Sequence, residues 1–183
     1  MTPATAQTWV LRPGRARLPD ACSPDVRGRS YSVHVELRLP DGRSEGVLIS
    51  HGDRHAGYAL RVVDRRVVHH YVHAGIASTH TSTALLPVGD WCSAELQVRR
   101  EGEGAVVRLL VDGRLAGGGR LPMLARARIG YTGVDVGCDR GVTVGGYAAP
   151  ARFAGELRRV TVVAQGDQDL DAVAAMLLES ATG

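Results

Sequence analysis

The sequence predicts an all-β fold, and three features of the chain indicate it. Aromatic residues make up only 4% of the chain, whereas 23 residues are glycine and valine recurs in short runs. Turn signals follow one another at intervals of about 8–12 residues, which is typical of antiparallel sandwiches and barrels. Strands do not alternate with helical segments, so a parallel sheet with crossover helices is not expected.

The first predicted strand covers residues 31–39, where the sequence YSVHVELRL alternates between apolar and polar residues. Such alternation is typical of a strand with one face in the core and the other toward solvent. The strand ends at the turn signal Pro40-Asp41-Gly42, and GVLIS at residues 46–50 indicates the next strand. The two strands are predicted to form a hairpin.

Further segments repeat the strand pattern after residue 50. They are residues 58–63, 66–72, 93–100, 105–118 and 152–163. Within residues 105–118, Asp112-Gly113 is a dipeptide that favours a two-residue hairpin connection. Together these segments predict an antiparallel sandwich or barrel.

The period of the apolar residues changes at residues 167–180, DQDLDAVAAMLLES. Apolar residues there recur at the spacing of one helix face, namely Leu170, Val173, Ala174, Leu177 and Leu178. Three aspartates lie in the first turn, where the helix dipole favours negative charge. The segment therefore predicts one short C-terminal helix that packs against the sheets.

The whole chain, residues 1–183, is predicted to be one domain, with the sandwich strands within residues 8–163 and the helix at 167–180. A chain of this length supports one substantial core and is too short for two domains of ordinary size. No internal repeat or low-complexity linker divides it.

The net charge, the cysteine spacing and the lack of long apolar runs limit which partners and which cellular compartment we expect. All 22 basic residues are arginine, they are scattered, and the net charge is only +3, so no nucleic-acid partner is expected. Three cysteines without CxxC spacing favour reduced thiols over a disulfide framework or a zinc site. Because no apolar run has the length of a signal peptide or a membrane span, we expect a cytoplasmic domain without a membrane partner.

Two long stretches resemble the region that follows the catalytic part of long bacterial arylsulfatases. They are PDVRGRSYSVHVELRLPDGRSEGVLISHGDRHAGYALRV at residues 24–62 and YTGVDVGCDRGVTVGGYAAPARFAGELRRVTV at residues 131–162. The resemblance extends from about residue 8 to residue 180. It implies a concanavalin A-like jelly-roll β-sandwich of two antiparallel sheets, with a short helix after the final strand.

The resemblance does not imply sulfatase activity. Hydrolysis of sulfate esters in that family depends on a C/S-x-P-x-R motif, whose first residue becomes formylglycine. In this chain Cys22 is followed by Ser-Pro-Asp-Val, with Val26 where the motif requires arginine. The chain thus resembles the appended domain without its enzyme, and the fold alone does not define a function.

Four of the seven histidines lie within residues 65–80, RRVVHHYVHAGIASTH. If Ala74-Gly75 is the tip of a hairpin, His69 lies opposite His80 and Tyr71 lies opposite Ser78. Directly opposed Cβ atoms in a hairpin are about 5 Å apart, which is close enough for two imidazoles to share a proton or a ligand.

A transition-metal site is not expected from these histidines. His69 and His73 share a strand face but lie about 13 Å apart along it. His51 and His55 have i, i+4 spacing, but HGDRH contains a glycine and follows a strand, which indicates a loop and not a zinc-binding helix. Asp135 and Asp139 are the candidate ligands of a calcium ion, although Asp at such positions also caps turns. No other cofactor is predicted.

One interpretation of the histidines is a strand surface that simply faces solvent. The other is that they line a concave face where lectin-like sandwiches bind ligands. The predicted ligand-binding residues are Arg54, His55, Tyr58, His69, Tyr71, His73, His80 and Tyr131. Among them His69, Tyr71 and His80 are the candidate acid-base groups of a catalytic site.

Three functions compete at this point. The first is a lectin-like domain that binds a carbohydrate or another polar small molecule on its concave face. The second is a cofactor-independent cyclase or isomerase of specialised metabolism that uses the same cavity. The third is a protein-interaction domain. Replacement of His69 or His80 by alanine is expected to weaken ligand binding or turnover while the melting temperature stays nearly unchanged.

Overall fold

The computed structural model describes residues 5–14, 17–126, 129, 132–149 and 151–167, and in this part the chain forms eleven strands. The strands are β1 Gln7–Leu11, β2 Tyr31–Arg38, β3 Gly46–Gly52, β4 Ala56–Val63, β5 Arg66–His73, β6 Ile76–Thr81, β7 Trp91–Glu101, β8 Gly104–Val111, β9 Arg114–Leu121, β10 Val134–Val136 and β11 Glu156–Ala164. A short 3-10 helix, Asp20–Cys22, lies between β1 and β2.

The strands form two antiparallel sheets. The six-stranded sheet has the order β1-β11-β2-β7-β8-β9, and the five-stranded sheet has the order β10-β3-β4-β5-β6. Neighbours in both sheets pair in antiparallel fashion. The predicted all-β fold with two antiparallel sheets is therefore confirmed.

One hydrophobic core fills the space between the two sheets. The alternation in β2 places Val33, Val35 and Leu37 fully inside this core, while the residues between them are half-buried on the outer face. Leu60 of the five-stranded sheet and Leu109 of the six-stranded sheet are equally buried and belong to the same cluster. Each such side chain contributes about 1.5–3 kcal/mol through removal of its apolar surface from water.

The predicted hairpin of β2 with β3 is wrong. β2 pairs with β7 and β11, whereas β3 pairs with β4 and β10 in the other sheet. Residues 39–45 carry the chain across the core from one sheet to the other, and this connection is longer than the two-residue loop that joins adjacent strands. β2 alternates between core and outer face, whereas β3 is buried along its whole length, and neither pattern reveals which strand it pairs with.

Two other predicted turns are confirmed. Ala74 and Gly75 have φ values of 50° and 77°, and Asp112 and Gly113 have 47° and 73°, the positive values that tight hairpin turns of this kind require. The Ala74-Gly75 turn sets the register of β5 against β6, in which residue 69 pairs with residue 80 and residue 71 with residue 78. The predicted pairing of the histidines is thus correct.

The remaining differences lie near the ends of the described chain. The last strand begins at Glu156 and not at residue 152, and β1 and β10 are short strands that the alternation does not predict. The predicted helix at 167–180 falls outside the described residues except for Asp167. In the described part of the chain, no helix combines the length and apolar character that crossing a bilayer requires.

Candidate functional site

The paired histidines stack on each other, with His69 inside the sandwich and His80 half-buried beside it. His69 is fully buried and stacks on His80, with ring centroids 5.4 Å apart and an angle of 16° between the planes. The two Nδ1 atoms are 3.3 Å apart, so one imidazole donates a hydrogen bond to the other. Burial, together with the nearby His80, lowers the pKa of His69 well below its usual value, and burial also lowers the pKa of His80. Both rings are therefore neutral near pH 7.

Tyr71 and Tyr58 point into the same core. Tyr71 is 4% exposed, and its hydroxyl oxygen accepts a hydrogen bond of 2.7 Å from the backbone N–H of Ala125. Tyr58 is fully buried beside Tyr31, with ring centroids 5.3 Å apart. The prediction that Tyr58, His69 and Tyr71 line an open face is therefore corrected, because these positions share the inward face of β4 and β5.

The other predicted ligand-binding residues do not form one cluster with them. Arg54 and His55 are exposed in the turn between β3 and β4, where Arg54 Nε lies 3.3 Å from His55 Nε2. His73 is half-buried beside Tyr71, next to a space of about 10 Å³ that holds one water at most. Tyr131 lies outside the described residues.

A loop at residues 137–149 covers part of the outer face of the five-stranded sheet. Val144 of this loop is fully buried against Ala59 and Val72. The ring of Tyr147 lies under the guanidinium of Arg61, which is 4.0 Å from the ring centroid. This part of the outer face is consequently occupied by the chain itself.

The two candidate calcium ligands are engaged by other protein groups. Asp135 is buried, and its carboxylate accepts hydrogen bonds from Arg17 at 2.5 Å and from Arg140 at 3.1 Å. Asp139 accepts a hydrogen bond of 2.7 Å from the hydroxyl of Tyr147. Among the described residues, no three His, Cys, Asp or Glu side chains are grouped to hold a metal ion. The calcium site stays a prediction to which this geometry gives no support.

An open cleft lies elsewhere, between the 3-10 helix and the end of β3. It has a volume of about 220 Å³ and is lined by Asp20, Ala21, Ser23, Pro24, Asp25, Arg27, His51 and Ile129. The segment that carries the acidic residues is tightly turned, because the Ser23 hydroxyl donates a hydrogen bond of 2.9 Å to the carbonyl of Pro19. The cleft is therefore a polar cavity with a structured wall.

His51 forms the buried part of this cleft. Its side chain is 3% exposed, and neither ring nitrogen has a hydrogen-bond partner among the described residues. Nε2 lies 3.8 Å from Asp20 Oδ1, which is too long for a direct hydrogen bond. Burial lowers the pKa of His51 to about 4, although the nearby Asp20 acts in the opposite direction. The imidazole is thus neutral near pH 7.

Charged residues line the open part of the cleft. Asp25 accepts a hydrogen bond of 2.8 Å from Arg27 and one of 3.2 Å from Arg29. Partial burial acts to raise the pKa of Asp25, but the contacts with Arg27 outweigh it and the pKa is lowered. Asp20 is 40% exposed at the mouth and lies nearest to His51. The cleft therefore offers two carboxylates, a guanidinium and a neutral imidazole.

The sequence pattern assigned His51 to a loop, whereas it is a residue of β3 whose side chain points inward beside Tyr58. The available signal was the last position of an apolar strand, GVLISH, where a histidine interrupts the apolar run. No pattern in the sequence connects His51 with Asp20 or Asp25, because these aspartates lie in a separate segment that reaches His51 only in the folded chain.

Solved structures with the same fold resemble this chain at low sequence identity. Domains LG4-5 of the mouse laminin alpha1 chain match with a TM-score of 0.58 and 19% identity, over 86% of this chain and 42% of that chain. The CBM40 of Ruminococcus gnavus IT-sialidase bound to alpha2,3 sialyllactose matches with a TM-score of 0.52 and 16% identity, over 81% of this chain and 83% of that chain. A SAP-like pentraxin from Limulus polyphemus matches with a TM-score of 0.50 and 15% identity, over 88% of this chain and 71% of that chain.

These likenesses show the fold. The chain is a jelly-roll β-sandwich of two antiparallel sheets, as predicted, and it spans less than half the length of the laminin chain that it matches. No family model matches the chain, and no curated protein matches its sequence. The relation to the appended domain of arylsulfatases accordingly stays a prediction.

Proposed function

We propose that this chain is a ligand-binding β-sandwich domain and that the cleft at His51 takes a carbohydrate or a similar polyhydroxylated molecule. The observation that carries the proposal is the buried imidazole of His51, whose two nitrogens have no hydrogen-bond partner among the described residues. Leaving a buried polar group unpaired costs about 1–3 kcal/mol, and a ligand that pairs it recovers this free energy.

The composition of the cleft suits a neutral ligand with several hydroxyl groups. A hydroxyl both donates and accepts, so it pairs with the carboxylate of Asp20, the guanidinium of Arg27 and either nitrogen of His51. One ligand hydroxyl between His51 Nε2 and Asp20 Oδ1, which are 3.8 Å apart, would bridge them. With about 220 Å³, the cleft is smaller than the drug-sized pockets of about 300 Å³ and above, so it fits one small ring.

The cleft also disfavours an anionic ligand. Asp20 and Asp25 both face it, and the arginines that compensate this charge are already paired with Asp25. The CBM40 with the same fold binds sialyllactose, which is anionic. We therefore expect a different selectivity here, with neutral sugars preferred over sialylated ones.

Binding suits this geometry better than acid-base catalysis. A general base works best when its pKa lies near the operating pH, whereas the pKa of His51 is about 4. Of the candidate acid-base groups of the alternative cyclase or isomerase, His69 and Tyr71 are buried in the core and His80 is half-buried against His69. The space beside Tyr71 is about 10 Å³. No observation in the described structure favours that alternative.

The proposal is tested with a panel of neutral saccharides and sialyllactose by saturation-transfer NMR, followed by calorimetry on each saccharide that binds. Asp20→Asn is expected to weaken binding at least tenfold, because a charge-assisted hydrogen bond is worth about 1.5–3 kcal/mol. His51→Gln is expected to weaken it similarly.

Two exposed residues outside the cleft provide matched controls. Asp90→Asn and His55→Gln change the same residue types and should leave affinity unchanged. If no saccharide binds at millimolar concentration, the carbohydrate class is rejected. If a saccharide binds Asp20→Asn as tightly as it binds Asp90→Asn, the location in this cleft is rejected.

A further inference from the structure

Two consecutive arginines, Arg158 and Arg159, point to the same outer face of the six-stranded sheet. A regular strand sends consecutive side chains to opposite faces. β11 departs from this rule because its pairing with β2 shifts between Leu157 and Arg159, so that Arg158 is the extra residue of a β-bulge. The side chains of Arg158 and Arg159 are 56% and 47% exposed.

A third arginine joins them. β1 ends with Leu11 paired to Val160, so Arg12 continues the chain beside Arg159. Arg12, Glu36, Arg158 and Arg159 line a shallow groove of about 210 Å³. Both strand arginines contact the single carboxylate of Glu36, with Arg158 Nη1 at 3.7 Å from Glu36 Oε2 and Arg159 hydrogen-bonded to Glu36 Oε1.

The charges in this groove do not balance. Three guanidinium groups surround one carboxylate, which leaves a net charge of +2 among the four lining residues. The hydrogen bond from Arg159 lowers the pKa of Glu36, which keeps that carboxylate charged. Like charges brought together on neighbouring strands repel one another, and a bound anion relieves this repulsion.

Arg158 is also oriented by an aromatic residue. Its guanidinium lies 4.1 Å from the ring centroid of Trp91, an exposed residue at the start of β7. A guanidinium over an aromatic ring is attracted by the face of the ring, and its planar fork of N–H groups matches the geometry of an oxyanion. Trp91 therefore lies close enough to Arg158 to sense an anion that binds there.

We propose that this groove is a second ligand site, which binds an oxyanion through Arg12, Arg158 and Arg159. The ligand is a phosphate, sulfate or carboxylate group, either as a free ion or as a substituent of a sugar. Its charge preference is the opposite of that of the cleft at His51, and it rests on different strands and different residues.

Trp91 provides the readout. The chain has two tryptophans, Trp9 and Trp91, so Trp9→Phe leaves Trp91 as the only tryptophan emitter. In this background the fluorescence is followed during titration with inorganic phosphate, glucose 6-phosphate and glucose, with sodium chloride used to keep the ionic strength constant. Phosphate and glucose 6-phosphate are expected to give saturable changes, and glucose none.

Variants then locate the site. Arg12→Gln combined with Arg159→Gln is expected to weaken phosphate binding at least tenfold, whereas Arg114→Gln, at an exposed position of β9, should have no effect. Tighter binding of glucose 6-phosphate than of phosphate assigns a sugar-borne oxyanion, and equal binding assigns the oxyanion alone. The proposal is overturned if added sodium chloride reproduces the phosphate signal, or if the double variant binds phosphate like the parent.

Discussion

Acidification should destabilise this protein in part through His51, and the size of the effect follows from its burial. The pKa falls from the ordinary 6.5 to about 4 in the folded chain. At about 1.4 kcal/mol per pH unit, that difference corresponds to about 3 kcal/mol. Between these two pH values the unfolded chain binds the proton more readily than the folded chain. The contribution is therefore intact above pH 6.5, is lost as the pH falls, and is fully lost below about pH 4.

The assay is urea unfolding of the wild type and of His51→Gln across a pH series. Each free energy of unfolding includes the other histidines, so only the difference between the two proteins reports His51. The wild type should lose about 2 kcal/mol more than the variant between neutral pH and about pH 5, and about 3 kcal/mol more by about pH 4. Parallel curves would refute the reasoning, because they would mean that His51 takes up its proton equally well in both states.

Two further outcomes are expected from the buried residues. Because His69 is buried, the expectation from the sequence that His69→Ala leaves the melting temperature nearly unchanged is replaced: the variant opens a cavity in the core and should lower the free energy of unfolding by about 2–4 kcal/mol in urea titrations. Half-buried His73→Ala should cost less than about 1 kcal/mol, and similar losses for the two variants would contradict the buried position of His69. Asp135→Asn should lower the melting temperature because Arg17 and Arg140 lose the carboxylate that they contact. Addition of calcium, and then of a chelator, should leave the wild-type melting temperature unchanged. Stabilisation by calcium that the chelator reverses would support the calcium prediction.

Local patterns predicted strands such as β2, β7 and β8 well because their residues repeat the period of two that separates the core from the outer face. The hairpin turn at Asp112-Gly113 was predicted for a similar reason, since its positive φ values favour these residue types, and at Ala74-Gly75 the glycine gave the signal. The pairing of the strands within each sheet does not follow from these local patterns. β2 alternates and β3 is an apolar run that is buried throughout, and nothing within either strand reports that the two lie in opposite sheets.

The sequence of β5 does not show which of its histidine side chains point into the core. Tyr71 and Val72 are adjacent and both buried, because Val144 of the loop at residues 137–149 packs on Val72 at the outer face. The sequence RVVHHYV therefore lacks the alternation that would place His69 in the core and His70 outside it. The register of the hairpin was predictable. The inward face was not, because a loop more than sixty residues away buries part of the outer face and removes the contrast between the two faces.

The candidate cleft was harder to predict for a related reason. His51 comes from the end of a strand, and Asp20 and Asp25 come from an irregular segment before β2. Irregular segments have no period, so their side chains acquire neighbours only through tertiary packing. The sequence could supply the residue types of a polar site, but the structure was needed to bring them together.

The position of β11 between β1 and β2 has a consequence for biosynthesis. Residues 7–11 and 31–38 leave the ribosome early, but the strand that joins them, residues 156–164, is made after all the other strands. Until then β1 has no partner and one edge of β2 is open, a condition that favours pairing with foreign strands. Completion of the larger sheet must therefore follow synthesis of almost the whole described chain.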